Sequence, residues 1–118
     1  MGKFVSWVEI PTQEFDRAVT FYEKVFLQKL NKEDFGNEKM ACFESGEGAI
    51  VAAPGFSPAN QGVFVSFEAP DNIEKTMNRL VENGGKIIQG KTKIEVENRA
   101  FFAICLDCEG NKIGLYGN

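Results

Sequence analysis

Glu9 and Trp7 are the first residues in this sequence whose types suit a functional site. They lie two positions apart on an alternating segment, so both side chains point to the same side of a strand. A carboxylate in an apolar cavity has a raised pKa and can serve as an acid or a base. An indole there offers a flat platform for an aromatic or cationic ligand. Two plainer interpretations stay open: Glu9 forms an ion pair or lies at a wet rim, and Trp7 simply fills the cavity.

Cys105 and Cys108 form the second candidate group, a C-x-x-C pattern, and Cys42 is the third cysteine. A zinc site needs four ligands, but the chain has no histidine to complete the set. A redox-active pair is typical of a helix N-terminus, whereas this pattern ends a predicted strand and enters a turn. We therefore interpret the pattern as one buried small residue and one turn residue, and an odd number of cysteines does not suit a disulfide framework.

The absence of histidine and the charge balance exclude several classes of function. Without imidazole, the 118 residues cannot form a Ser-His-Asp triad, a Cys-His pair or a histidine metal site. Thirteen Lys and Arg residues against seventeen Asp and Glu residues give a net charge of −4, which argues against a nucleic-acid partner. No segment is apolar over the length of a membrane span, and the first residues lack a signal-peptide pattern. We therefore expect a cytoplasmic protein with no membrane partner.

Hydrophobic periodicity predicts a strand, a helix and three more strands in the first half of the chain. Alternation from Phe4 to Ile10 predicts a strand that Pro11 ends. Apolar residues at helical spacing from Phe15 to Phe26 predict a helix, with Thr12 as its N-cap. The other strands of this half are predicted at 28–31, 39–44 and 48–53, and a Ser-Gly-Glu-Gly turn joins the last two.

The same order of elements repeats after a turn-rich connector. A strand over 62–68 precedes a helix that begins at Asp71, its expected N-cap, and that stops at Gly84 and Gly85. Three more strands are predicted at 86–90, 100–106 and 112–116. Both halves therefore have the order β-α-β-β-β, which indicates an internal duplication.

This duplication predicts an α+β fold for residues 1–118 as one domain. Module one spans about 1–54, the connector 55–61 and module two about 62–118. In each module one helix covers one face of a sheet. We expect the other faces to form a curved mixed sheet around a central cup.

Four segments of the chain resemble the vicinal oxygen chelate superfamily, which includes glyoxalase I, bleomycin- and fosfomycin-resistance proteins and extradiol dioxygenases. The segment from Glu14 to Tyr22 is similar to the helix pattern D-hydrophobic-x-R-A-x-x-F-Y. The segment 106–115 is similar to the closing pattern D-P-D/E-G-N-x-I-x-L, although Cys108 replaces the usual Pro. Segments 7–11 and 83–86 fit as well, and Leu27 replaces a common Gly. The resemblance covers essentially the whole chain and implies two βαβββ modules around a cup, in a homodimer.

The resemblance also implies four metal-ligand positions in the cup, which metal-dependent members fill with His, Glu or Gln. The matching positions in this sequence hold Trp7, Val51, Val65 and Gly114. None of these side chains offers a lone pair to a metal ion. A shift by one residue brings in Val8, Ser66 or Leu115, which does not restore the site. We therefore expect no metal ion and no other cofactor.

Three functional hypotheses follow from these positions. The first is a metal-independent binding protein, a homodimer that holds a small apolar or aromatic molecule in the cup. Its expected lining is Trp7, Glu9, Val51, Val65, Gly114 and Tyr116. The second is a glyoxalase- or dioxygenase-type enzyme in which carboxylates such as Glu9 or Glu68 replace the missing ligands, with Glu9 as the catalytic candidate. The third is a structural or regulatory dimer whose cup is filled by Trp7 and phenylalanines.

Overall fold

The computed structural model describes residues 4–96 and 99–118, and for residues 95 and 96 it describes the backbone alone. This part of the chain contains ten helices and strands. Module one contains β1 (Val8–Pro11), α1 (Phe15–Phe26), β2 (Leu30–Asp34), β3 (Lys39–Phe43) and β4 (Gly48–Ala52). Module two contains β5 (Val65–Glu68), α2 (Ile73–Glu82), β6 (Lys86–Val96), β7 (Arg99–Leu106) and β8 (Lys112–Gly117). The predicted α+β fold of two tandem βαβββ modules is confirmed.

Each module has its own four-stranded mixed sheet, and the strand orders are β1-β4-β3-β2 and β5-β8-β7-β6. The first strand of each module pairs in parallel with the last one, β1 with β4 and β5 with β8, and the other pairs are antiparallel. β1 and β5 are therefore both edge strands. Within the described residues no strand of one sheet pairs with a strand of the other, and helices α1 and α2 of the two modules are in contact.

The two modules share one hydrophobic core. Helix α1 turns an apolar face toward this core, because its buried residues recur at helical spacing. The ring of Phe67 in β5 packs against the rings of Tyr22 and Phe26 in α1, with centroid distances of 5.6 and 4.8 Å. Packing of large aromatic rings from both modules in one cluster stabilises their association.

Both helices begin at a different residue from the predicted one. Glu14 occupies the N-cap position of α1 without a side-chain hydrogen bond, whereas Thr12 lies two residues earlier and bonds to module two. Asn72 is the N-cap of α2, and its side-chain oxygen accepts a backbone N–H at 2.8 Å. Asp71 does not cap this helix because the guanidinium of Arg79 holds its carboxylate.

Two strands also differ in length from the prediction. β1 begins at Val8 rather than at Phe4, and β6 continues past Gly90 to Val96. The long β6 pairs with β7 through three register irregularities, which accommodate the extra residues. Neither helix in the described ranges combines the length and the apolar character needed to cross a membrane.

Candidate functional site

The outer face of sheet one, which points away from the shared core, carries three of the predicted cup residues. Ile10 and Ile50 are in register and belong to the core, so the alternate positions Glu9 and Val51 lie on the opposite face. Nε1 of Trp7 donates a hydrogen bond to Oε2 of Glu9 at 3.1 Å. The structure therefore brings Trp7, Glu9 and Val51 to one face of one sheet.

Glu9 lies in water rather than in an apolar cavity. Its side chain is exposed, and Trp7 beside it is 41% exposed. The indole N–H is its hydrogen-bond donor, so the predicted ion pair with Lys or Arg does not form with any described residue.

In sheet two, Gly114 and Tyr116 lie on the outer face, whereas Val65 lies on the core side. Val65 is in register with the core residue Ile113, and Ser66 is in register with Gly114. Val65 and Gly114 therefore lie on opposite faces of sheet two, and Ser66 is the residue of β5 that shares the face of Gly114. The alternation of apolar and polar residues along β5 was the signal for this assignment.

Gly114 lies where its neighbours already fill the space. A Cβ added to Gly114 would lie 2.3 Å from Oγ of Ser66 and 3.2 Å from Cε2 of Phe64. Any larger side chain at this position requires both neighbours to move. The place of the fourth implied ligand is therefore occupied by Ser66 and Phe64.

The predicted cup residues lie on two separate sheets. Each sheet packs one face against the shared core, and its opposite face carries Trp7, Glu9 and Val51 in sheet one and Gly114 and Tyr116 in sheet two. The role of these residues in lining a cup and in binding stays a prediction.

The described residues form an inter-module groove with a volume of about 690 Å³, within the range of small-molecule sites. Its floor consists of apolar side chains from both modules: Val8, Tyr22, Phe26, Leu30, Phe43, Val65 and Phe67. Val65 is the one predicted cup residue that lines it. The spacing of these aromatic residues along the chain indicates burial alone, so the sequence does not assign them to a binding surface. Tyr22 and Phe26 are indeed buried, with 3% and 6% of their surface exposed, whereas Phe43 and Phe67 are half-buried.

A loop of module two holds module one in place through Asp107, Glu109 and Asn111, which we call the clasp. The buried carboxylate of Asp107 accepts hydrogen bonds from the hydroxyl of Tyr22 at 2.6 Å and from the backbone N–H of Asn111 at 2.9 Å. Nδ2 of Asn111 donates to the carbonyl oxygen of Pro11 at 2.8 Å. Burial, followed by the negative charge of Asp107, raises the pKa of Tyr22 well above its usual value. The phenol therefore remains a donor.

Glu109 of the clasp holds the start of α1. Its carboxylate, 5% exposed, accepts hydrogen bonds from the hydroxyl of Thr12 and from the backbone N–H groups of Gln13 and Glu14. Burial by itself raises the pKa of a carboxyl group. These hydrogen bonds and the nearby Arg17 outweigh that effect and hold the pKa of Glu109 below its usual value. The closing sequence pattern thus has a structural role that joins the two modules.

The cysteines have the environments of inert thiols. All three are free, Cys105 is fully buried and Cys108 lies in the turn after β7, as predicted. Burial raises the pKa of Cys105 to about 11. Burial, with a further contribution from Asp107, raises the pKa of Cys108 to about 11. Neither thiol therefore has the thiolate character that catalysis requires.

Nearly the whole chain matches the sequence pattern of one protein family. The sequence profile of the Glyoxalase/Bleomycin resistance protein/Dioxygenase superfamily matches residues 5–115. The chain belongs to this superfamily. Its members are vicinal oxygen chelate proteins, so the resemblance found in the sequence is confirmed. A comparison with curated protein sequences finds no match.

Solved structures of superfamily proteins share the fold. A glyoxalase I variant from Zea mays superposes with a TM-score of 0.71 at 19% identity, over 93% of this chain and 45% of that one. This chain therefore spans less than half of the maize protein. A glyoxalase/bleomycin resistance protein from Albidiferax ferrireducens gives 0.69 at 16% identity, over 98% and 100% of the two chains. The fosfomycin resistance protein FosX from Listeria monocytogenes gives 0.68 at 13% identity, over 100% and 93%.

The positions implied for the superfamily's metal ion do not fit a metal ion in this chain. Their residues on the outer faces are Trp7, Val51, Ser66 and Gly114. The hydroxyl of Ser66 is the single oxygen that these four side chains contribute. Over residues 4–96 and 99–118, no three His, Cys, Asp or Glu side chains gather closely enough to hold a metal. The donor set therefore lacks the three or four ligands of a superfamily metal centre.

Proposed function

We propose that this chain binds a small, largely apolar molecule in the inter-module groove and that it does so without a metal ion. The observation that carries this proposal is the floor of the groove. The rings of Tyr22, Phe26, Phe43 and Phe67 come from both modules and lie in a concavity of about 690 Å³. When an apolar ligand displaces water from aromatic surfaces in a concavity of this size, the free energy of the system falls.

Hydroxyl and carboxylate groups border this floor and would orient such a ligand. Ser6 and Ser45 line the side of module one, and Ser66 and Glu68 line the side of module two. A few polar groups around an apolar floor are typical of binding sites for small molecules. This arrangement supports a binding function that needs no ligand set for a metal.

The binding test uses the full chain and the neutral dye N-phenyl-1-naphthylamine, whose fluorescence rises in apolar surroundings. We expect saturable binding near one dye per chain. Val65→Trp places an indole in the groove and should lower the affinity at least about tenfold. Ile88→Trp, at a site that is 59% exposed and outside the groove, is the matched control and should change nothing. Equal affinities of both variants would overturn the proposed site.

Metal analysis of the same purified protein tests the second part of the proposal. We expect no nickel, zinc, iron or manganese at stoichiometric amounts. A stoichiometric metal would overturn metal independence and would favour the enzyme alternative, with Glu9 and Glu68 as replacement ligands. In that case Glu9→Gln should release the metal, and Glu82→Gln should not.

We also propose that the chain forms a homodimer along the free edges of β1 and β5. Large apolar side chains lie exposed just before both edge strands: Phe4, Val5, Trp7, Val63 and Phe64. An unpaired strand edge with apolar neighbours is a surface that a second copy can cover. Native mass spectrometry should report twice the chain mass, and Val63→Asp should shift the protein toward monomer. The control Ile88→Asp should stay dimeric, and a monomeric wild-type chain would contradict the proposal.

A further inference from the structure

The rim of the inter-module groove has a strong excess of negative charge. The described residues that line it include three carboxylates, Glu44, Glu47 and Glu68, and one cation, Arg99. Their formal sum is 1 − 3 = −2, counted over the same lining. Because this charge borders an apolar floor, the groove favours a ligand of opposite charge.

Arg99 contributes little positive potential to this rim because its guanidinium already has two partners. Its Nε lies 3.7 Å from Oε1 of Glu68. Its Cζ lies 4.7 Å above the ring centroid of Tyr116, in a cation–π contact on the outer face of sheet two. Glu44 and Glu47 have no such cation among the described residues, although Ser45 donates a hydrogen bond to Glu47 at 2.7 Å.

Phe43 and Phe67, the half-buried rings of the floor, reinforce the same preference. Their centroids lie 6.1 Å apart, and Phe67 packs against the buried ring of Phe26 at 4.8 Å. An aromatic face carries partial negative charge, so it attracts a cation placed over it. Rim and floor therefore act in the same direction, the rim at long range and the rings at contact.

We infer that the ligand of the inter-module groove is an apolar organic cation. The inference rests on the proposed function, since it names the chemical class that the same groove takes. Apolar groups of this ligand contact the rings of the floor, and its positive charge lies toward Glu44, Glu47 and Glu68.

The experiment compares two probes of the same shape and opposite charge, tetraphenylphosphonium and tetraphenylborate. Their affinities for the full chain are measured by isothermal titration calorimetry at low salt. We expect the phosphonium ion to bind roughly 3- to 30-fold more tightly than the borate ion. This ratio should shrink as the salt concentration rises to 1 M, because rim charges are screened by mobile ions. Equal affinities, or a tighter borate, would overturn the inference.

Matched variants separate the rim from the net charge of the protein. Glu47→Gln and Glu82→Gln remove the same charge, but only Glu47 lines the groove. We expect Glu47→Gln to weaken phosphonium binding and Glu82→Gln to leave it unchanged. Phe43→Leu keeps the floor apolar but removes one ring, so it should lower phosphonium affinity more than dye affinity. Equal losses in the two Gln variants would show a general charge effect and would contradict the inference.

The failure of this inference is distinguishable from that of the proposed function. If the neutral dye binds and Val65→Trp blocks it, the groove is a binding site whichever charge it prefers. If neither the dye nor either tetraphenyl ion binds, both proposals are wrong. If phosphonium binds and Val65→Trp does not weaken it, the cation site lies elsewhere and the inference is overturned.

Discussion

The hydroxyl of Tyr22 lies 2.6 Å from Oδ2 of Asp107, and this hydrogen bond joins the helix of module one to the closing loop of module two. The same tyrosine ring lines the inter-module groove. The two residues are 85 positions apart in the chain, so the bond exists only when both modules are folded and docked. One side chain thus connects the clasp to the floor of the groove.

Tyr22→Phe should destabilise the protein, because it removes one donor from a buried carboxylate. We expect the free energy of unfolding to fall by about 1–3 kcal/mol, the typical cost of a buried acceptor that loses a partner. Urea unfolding at neutral pH measures this loss. The control Tyr116→Phe removes a hydroxyl from the outer face of sheet two and should cost less than about 0.5 kcal/mol. Equal effects of both variants would contradict the role of the clasp.

Stability should depend on pH through Glu109. Its pKa is lower in the folded chain than in the unfolded chain, so ionised Glu109 stabilises the fold above the ordinary carboxyl pKa of about 4.3. This contribution is lost as the pH falls through the lowered pKa. The difference in unfolding free energy between wild type and Glu109→Gln should therefore stay constant from about pH 7 to 5 and shrink at lower pH. A difference that grows on acidification has the opposite sign and would refute this account.

Arg79→Lys should weaken the packing of α2 against α1. The guanidinium of Arg79 donates two hydrogen bonds to Asp71 at 2.9 Å and a third, from Nε, to the carbonyl oxygen of Val25 at 2.9 Å. Lysine has one nitrogen and cannot reproduce this geometry, so we expect a loss of about 1 kcal/mol in thermal or urea unfolding. Arg17→Lys is the control, because the side chain of Arg17 is 55% exposed and its Nη2 makes a single longer contact, 3.6 Å from Oε1 of Glu109. The prediction fails if the two substitutions cost the same.

Gly48→Ala should disrupt the parallel pairing of β1 with β4. A Cβ at Gly48 would lie 2.2 Å from the carbonyl oxygen of Val8, which is backbone and cannot rotate away. We expect a loss of about 1–3 kcal/mol, typical of forced overpacking. Gly90→Ala is the matched control, because its added Cβ meets nothing closer than Met77 at 4.0 Å. Thermal unfolding compares the two variants, and similar melting temperatures would show that β1 adjusts freely.

The helices and strands of this fold were predictable from the sequence, because each depends on the spacing of apolar residues within one short segment. The spacing of apolar residues in α1 and the alternation in the strands identified both βαβββ modules. Helix starts were less well predicted. A capping residue competes with distant partners, and Arg79 withdraws Asp71 from that role. The sequence contains no information at position 71 that reveals this competition.

The candidate site was predicted in part. Trp7 and Glu9 share a face, as their spacing indicates, and a hydrogen bond joins them. Ser66 rather than Val65 shares the face of Gly114, because a shift of one residue along a strand reverses the direction of every side chain. Phe67 and Phe43 were not assigned to a binding surface. Their spacing along the chain is that of ordinary buried strand residues.

The sequence by itself determined the two modules, their order, the superfamily and the absence of histidine from every position. These features follow from composition and from periodicities that span a few residues. The tertiary structure decided that helices of the two modules pack together, that Ser66 rather than Val65 shares a face with Gly114, and that Tyr22 and Phe67 of different modules line one groove. The physical reason is that these outcomes depend on contacts between residues far apart in the chain, such as that of Tyr22 with Asp107. Local periodicity does not encode the geometry of those contacts.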